Sequence, residues 1–124
     1  MNIDDPLTHK VIGCAMNVHN ELGYGFQEII YQRALEVEFK HANVDYIREH
    51  DIHILYKGQE IGTRRMDFLV GNQIMIEIKA LAQLDDVHLV QALNYIEAFN
   101  LKIGLLLNFG AQKLEFKRLL NKKI

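Results

Sequence analysis

The amino-acid sequence predicts a single α/β domain over residues 1–124, with helices flanking a mixed central β-sheet in the order ααβββαββ. Three observations support this prediction. Residues 7–41 carry apolar side chains at helical spacing, and residues 44–80 alternate in polarity as strands do. A continuous apolar run after one further helical segment is typical of a strand covered on both faces. With 49% hydrophobic residues, the chain can build one core.

Two helices are predicted before the first strand. Asp4-Asp5-Pro6 offers a capping acid and a first-turn proline, and apolar residues recur at helical spacing over residues 7–22. Gly23 is predicted to end this helix, and a glycine-rich corner then leads into a second helix over residues 26–41.

Three strands in an antiparallel meander are predicted next. Residues 44–56 form the first strand, which reverses at Lys57-Gly58. Residues 59–70 form the second strand, in which Gly62 marks a bulge or bend, and residues 73–80 form the third.

The remaining residues predict one helix and two strands. Asp85 and Asp86 offer a capping acid for a helix over residues 87–99. The apolar run within residues 102–108 is predicted to pair in parallel, because a helix crosses over before it. Residues 113–120 fit an edge strand or a short helix, and their alternation favours the strand.

The third strand and the strand before it carry two acids and a lysine. At a period of two, Glu77 and Lys79 share one strand face, and the other face carries Ile74, Ile76 and Ile78. Asp67 lies on the preceding apolar strand. Charged side chains within such apolar strands need a compensating role, although Glu and Lys two residues apart are also common as a surface ion pair.

The length of the reversal decides whether Asp67 and Glu77 meet. A two-residue turn at residues 71–72 would place Asp67 opposite Ile76, away from Glu77. A connection over residues 71–73 would place it opposite Glu77. A site that uses both acids therefore requires the odd loop or a β-bulge.

Two carboxylates and a lysine suit phosphodiester cleavage with Mg²⁺. The carboxylates hold a hard cation, and the ammonium group orients water or offsets charge on the phosphate. Like charges held together should also raise the pKa of at least one acid.

Four motifs, in order, resemble those of a known family. Gly25-Phe-Gln-Glu28-Ile-Ile-Tyr31 matches the motif for which the GxxExxY family is named. Asp67 followed by Glu77-Ile78-Lys79 is similar to the core of the PD-(D/E)XK superfamily, without the usual proline before the first acid. Gln91-Ala-Leu-Asn-Tyr95 is similar to the QxxxY motif of its RecB-like branch, and residues 104–110 resemble the family's near-terminal strand.

The resemblance implies a restriction-endonuclease-like fold and a nuclease that uses Mg²⁺ or Mn²⁺. It implies that the metal ligands are Asp67, Glu77, the carbonyl of Ile78, and Glu28. Lys79 would be the catalytic lysine, with Asp67, Glu77 and Glu28 as the catalytic acids. The substrate side would be lined by His88, Gln91 and Tyr95. Alternatively, Tyr31 and Tyr95 are packing residues, Gln91 is a cap or a solvated residue, and His88 is exposed.

The charge distribution and the motifs leave three functions open: a nuclease, a nucleic-acid-binding module, and a protein-interaction subunit. The net charge is −2, but five of the last 12 residues are basic, which suits either a phosphate contact or a solvated end. Nucleic acid is the expected partner, with DNA favoured over RNA, and a homodimer or partner protein is expected to assist.

The sequence favours a reducing compartment and no membrane association. Cys14 is the single cysteine and is expected to be a small core residue. The first residues carry acids where a signal peptide has basic residues, and no run approaches the roughly 18 apolar residues of a membrane span. We therefore expect a cytoplasmic protein.

Overall fold

The computed structural model describes residues 5–124, so Asp4 of the predicted helix start lies outside the described residues. The predicted capping acid is Asp5, whose Oδ1 accepts from the N–H of Thr8 (2.8 Å). The helices are α1 (Pro6–Leu22), α2 (Glu28–His41) and α3 (Asp86–Ala98). The strands are β1 (Tyr46–Tyr56), β2 (Gln59–Val70), β3 (Ile74–Lys79), β4 (Ile103–Asn108) and β5 (Glu115–Leu120). The predicted order ααβββαββ is confirmed.

The five strands form one mixed sheet in the order β1-β2-β3-β4-β5. β1, β2 and β3 form the predicted antiparallel meander. β4 pairs in parallel with β3, as the crossover through α3 predicts, and β5 returns antiparallel to β4. The β1–β2 register shifts where Ile54 faces Gly62, which confirms the predicted bulge.

Helices cover both faces of the sheet. α1 and α2 pack on the face that carries Ile74, Ile76 and Ile78, together with the buried Cys14. α3 packs on the opposite face, where Met75 meets Ile96. None of the helices in residues 5–124 is both long and apolar enough to cross a bilayer.

α2 begins two residues later than the spacing predicts. Gln27 is its N-cap in an extended conformation, and Phe26 belongs to the preceding corner. The backbone N–H of Phe26 donates to the hydroxyl of Tyr31 (3.2 Å), which holds this residue outside the helix.

The connection between β2 and β3 spans residues 71–73. Phe68 pairs with Ile76 and Val70 with Ile74, so that Asp67 comes opposite Glu77. Gly71 and Asn72 both have φ near +57°, and this left-handed pair makes the turn. The three-residue connection required for a two-acid site is therefore present.

β2 separates from β3 just beyond this pairing, at a point that we call the fork. The β2–β3 ladder ends at Phe68 and Ile76, whereas β2 stays paired with β1 as far as Gln59. The hairpin beyond the fork, residues 51–65, is called the ribbon below. Glu49, which the register places opposite Asp67, has a left-handed φ of 57°.

Candidate active site

The carboxylates of Asp67 and Glu77 lie at the fork and replace the missing backbone partners there. The N–H of Ile78 donates to Oδ2 of Asp67 (2.7 Å), and the N–H of Asp67 donates to Oε1 of Glu77 (3.3 Å). Each acid thus bonds to the backbone of the opposite strand. The two side chains are consequently held close together.

Burial dominates the electrostatics of this acid pair. Glu77 is only 8% exposed, and burial raises its pKa to about 8, with the charge of Asp67 as the second cause and that of Lys79 opposing it. Burial also raises the pKa of Asp67, although the hydrogen bonds from Ile78 and Gln32 lower it in part. The sequence predicted a raised pKa from like-charge repulsion, but desolvation is the larger cause.

Glu28 stands between two neighbouring cavities. From the first turn of α2 it lines a cavity of about 460 Å³ together with Lys79 and His88. It also lines a cavity of about 350 Å³ with Gln32 and Asp67. Its charge raises the pKa of both strand acids. The structure therefore brings Glu28, Asp67 and Lys79 to adjoining cavities, with Glu77 buried beside Asp67.

Gln32 is a site residue that the motifs do not contain. Its Nε2 donates to Oδ1 of Asp67 (3.1 Å), and its Oε1 is buried without a hydrogen-bond partner. The amide orientation follows from chemistry, because a carboxylate oxygen accepts and must face the NH₂ group. Gln32 lies one turn after Glu28, and this i,i+4 spacing was the available sequence signal.

His88 has two roles in the structure. Its Nδ1 accepts from the N–H of Asp85 (3.0 Å) at the start of α3, in a capping box. The proton of the neutral ring is therefore on Nε2. The same side chain lines the cavity of Glu28 and Lys79, to which it brings a hydrogen-bond donor.

Gln91 and Tyr95 lie further along α3. Gln91 is exposed. Tyr95 packs on the cluster of the α3 face and lines a separate cavity of about 430 Å³ with Ile54 and Arg64. The structure does not bring Tyr95 to the cavities of Glu28.

Tyr31 is a packing residue, as the alternative interpretation held. Its side chain is fully buried, and its ring stacks on Phe109 with centroids 4.8 Å apart. Its hydroxyl donates to the carbonyl of Gly23 (2.7 Å). Tyr31 thus fixes the corner that leads to Glu28.

A polar network fastens the segment that follows Lys79. Asn108 is fully buried, and its Oδ1 accepts from the N–H of Leu81 (2.8 Å). Glu115 accepts from Asn108 (2.8 Å) and from the N–H of Leu84 (3.0 Å). At Gly110, a Cβ would stand 2.3 Å from the nitrogen of Leu81, so only glycine fits. The motif at residues 104–110 therefore positions the end of β3.

The carbonyl of Ile78 lies on the same side of β3 as the two carboxylates. The N–H and C=O of one strand residue point the same way, and the N–H of Ile78 bonds to Asp67. The carbonyl of Lys79 points the other way and accepts from Phe109 (2.9 Å). Ile78 can therefore supply a third oxygen at the fork.

The donor set at the fork fits a small, hard divalent cation. The carboxylates of the buried Glu77 and the half-buried Asp67 are held side by side by backbone N–H groups of opposite strands, and Gln32 adds an unpartnered acceptor. Residues 5–124 contain no group of three or more His, Cys, Asp or Glu side chains disposed around one ion. Two acids suffice for Mg²⁺, which protein sites bind through one or two carboxylates with water and phosphate oxygens.

Comparison with known proteins gives a family and a fold. A family model described as the PD-(D/E)XK nuclease superfamily matches residues 5–119. The crystal structure of SSO0001 superposes with a TM-score of 0.61 at 22% identity, over 75% of this chain and 50% of that chain. The chain thus spans half the length of that protein, and the likeness shows the fold. No curated protein matches the chain.

Proposed function

Because the chain belongs to the PD-(D/E)XK nuclease superfamily, we propose that it hydrolyses phosphodiester bonds of nucleic acid with Mg²⁺ or Mn²⁺. One observation carries the metal dependence. The carboxylates of Glu77 and Asp67 are held side by side at the fork, each by a backbone N–H of the opposite strand, and burial raises the pKa of both. A divalent cation bound there would compensate the charge of the two ionised carboxylates.

The site residues fall into two groups, one that would hold the metal ion and one that would bind the phosphate, with Glu28 next to both. Asp67, Glu77 and the Ile78 carbonyl would hold the ion, and Glu28, which the resemblance also implies as a ligand, borders the site. The bound ion would acidify a water molecule and neutralise phosphate charge. Lys79 and His88 face the larger cavity and donate to phosphate oxygens there. Glu28 borders both cavities, and its carboxylate can accept a proton from a water molecule between them.

The same proposal includes the family and its branch, the type of nucleic acid, the partner and the cellular location. The GxxExxY family is supported by Gly25, Glu28 and Tyr31, and the RecB-like branch by Gln91 and Tyr95. We favour DNA over RNA as the substrate, a second copy or partner protein to assist its binding, and a cytoplasmic location. Gln91, exposed on α3, is a further candidate for the substrate side, and Tyr95 would contact a substrate that extends along α3 to the separate cavity of Ile54 and Arg64.

The choice of metal tests the proposed chemistry. Purified protein should cleave nucleic acid with Mg²⁺ or Mn²⁺ and not with Ca²⁺, because Ca²⁺ fits an oxygen site but is a poorer Lewis acid toward bound water. Cleavage is measured on labelled single- and double-stranded DNA and RNA. Absence of metal-dependent cleavage on all four substrates would reject the nuclease in favour of a binding module.

Gln32→Leu is expected to weaken Mn²⁺ binding by about 10- to 100-fold, the usual effect of removing a group that orients a metal ligand. The variant removes the donor to Asp67 and the unpartnered acceptor beside it. Calorimetric titration with Mn²⁺ gives the dissociation constant. Gln73→Leu, at an exposed position of the β2–β3 turn, is the control. Parental affinity in Gln32→Leu would exclude this role.

A further inference from the structure

We propose that Phe26 is a stacking site for an unpaired nucleobase, so that the nucleic acid at the active site is a single strand. The inference rests on the proposed function, which it narrows to one class of substrate. Three features of the corner before α2 support it: the exposure of the ring, the rigidity of its backbone, and the donors across the cavity.

Phe26 is a large apolar side chain left half exposed, at 49%, where it lines the cavity of Lys79 and His88. Tyr24, in the same corner, is 59% exposed. An aromatic face next to two phosphate donors matches the composition of a nucleotide, which joins a base to a phosphate. Proteins that bind single strands combine these same elements, stacked aromatic rings and positively charged groups.

The corner holds Phe26 in place before any ligand binds. The N–H of Phe26 donates to the hydroxyl of Tyr31 (3.2 Å), which in turn donates to the carbonyl of Gly23 (2.7 Å). Gly25 has a φ of 114°, which L side chains rarely adopt. Tyr31 is itself fully buried. Because the backbone is already ordered, stacking on the ring costs little further conformational entropy.

Stacking on this ring distinguishes an unpaired base from a paired one. In a duplex each base already stacks on its neighbours, and an enzyme that contacts its face must first extrude it at a cost of a few kcal/mol. Base–aromatic stacking is tolerant of sequence and is worth about 1–3 kcal/mol per base.

The absence of tryptophan from the sequence allows a direct test. Phe26→Trp places a single indole at the proposed site, and a stacked base should quench its fluorescence. The titration uses oligothymidylate in the presence of Ca²⁺, which is expected to fill the metal site without supporting cleavage, so that binding is separated from cleavage. The control is Tyr56→Trp, since Tyr56 is similarly exposed, at 60%, beside the turn of the ribbon. We expect quenching in the first variant and none in the second.

Affinity gives the second measurement. Phe26→Ala should weaken binding of oligothymidylate by about five- to 150-fold, the fold-change that corresponds to one stacked base. Phe26→Tyr should restore most of the affinity, and Tyr56→Ala should bind as the parent does. A duplex of equal length should bind less tightly than the single strand.

Several results would overturn the inference. The first is equal quenching of the indole fluorescence by duplex and single strand. The second is parental affinity for oligothymidylate in Phe26→Ala. The third is the same parental affinity together with a change in the self-association of that variant. The last would assign the exposed ring to a protein contact. If cleavage occurs and Phe26→Ala binds as the parent, the inference fails and the proposed function stands. If Phe26 is required for binding but no metal supports cleavage, the stacking site stands and the proposed cleavage activity fails.

Discussion

Replacing Glu77 with glutamine is expected to reduce metal-dependent cleavage to background and to remove measurable binding of Mn²⁺. The amide keeps an oxygen that can accept from the N–H of Asp67, so the fork retains its hydrogen bond. It lacks the negative charge that a hard divalent cation requires. Asp67→Asn should likewise lose both cleavage and Mn²⁺ binding, because Asp67 supplies the second carboxylate of the proposed metal site. Cleavage assays and calorimetry with Mn²⁺ measure the two effects.

Two further variants separate a loss of metal binding from a loss of catalysis. Lys79→Ala should keep the affinity for Mn²⁺ and lose roughly 10²-fold or more in rate, the scale expected when one group that stabilises transition-state charge is removed. Glu60→Gln changes an exposed acid on the ribbon, which bonds to His53, and should behave as the parent. Parental cleavage by Glu77→Gln would refute the two-acid site.

The metal-free protein is expected to lose stability as pH rises from about 4.5 towards about 8. Below this window Glu77 is protonated in both states, so its pKa shift has no effect. Within it the unfolded chain ionises at the ordinary pKa of 4.5, whereas the folded chain holds its proton until about 8. The folded state thus binds more protons, and the free energy of unfolding falls by up to about 1.4 kcal/mol per pH unit.

Urea unfolding in the presence of a chelator, at a series of pH values, measures this dependence. Glu77→Gln removes the ionisable group, so its free energy of unfolding should fall less across the window and exceed that of the parent near pH 8. Saturating Mn²⁺ should stabilise the parent most at high pH, since the cation binds the ionised acids. Identical pH profiles for the parent and Glu77→Gln would show that Glu77 is solvated in the folded protein.

The element order and the two strand acids could be predicted because they depend on local pattern. The alternation of Ile74, Ile76 and Ile78 decides which face Glu77 takes, and the apolar run after α3 decides that β4 is parallel. The length of the β2–β3 turn was ambiguous, since Gly71-Asn72 suits a two-residue reversal equally well. Gln73 joins the turn, and its N–H donates to the carbonyl of Val70 (3.0 Å).

The parts of the site that were not predicted depend on tertiary contacts. Gln32 meets Asp67 only because α2 packs beside the fork, and the degree of burial of Glu77 depends on what covers β3. Tyr95 shares helical spacing with His88, but two turns of α3 carry it towards Ile54 and away from Lys79. Helical spacing gives a side of a helix and cannot say how far along it a cavity extends.

Because β2 leaves β3 at the fork, we expect the two parts of the sheet to differ in their protection against hydrogen exchange. The base of the ribbon packs on α3 through the buried Ile52, whereas residues 55–61 at its tip are exposed. A pair of strands without further cover is marginally stable in water. The tip of the ribbon can open without breaking a hydrogen bond between β3 and β4. Such opening stops at Asp67, whose carboxylate bonds to Ile78 and Gln32 rather than to the ribbon. We therefore expect the amide of Ile78, which donates to Asp67, to exchange more slowly than the amides at the tip of the ribbon.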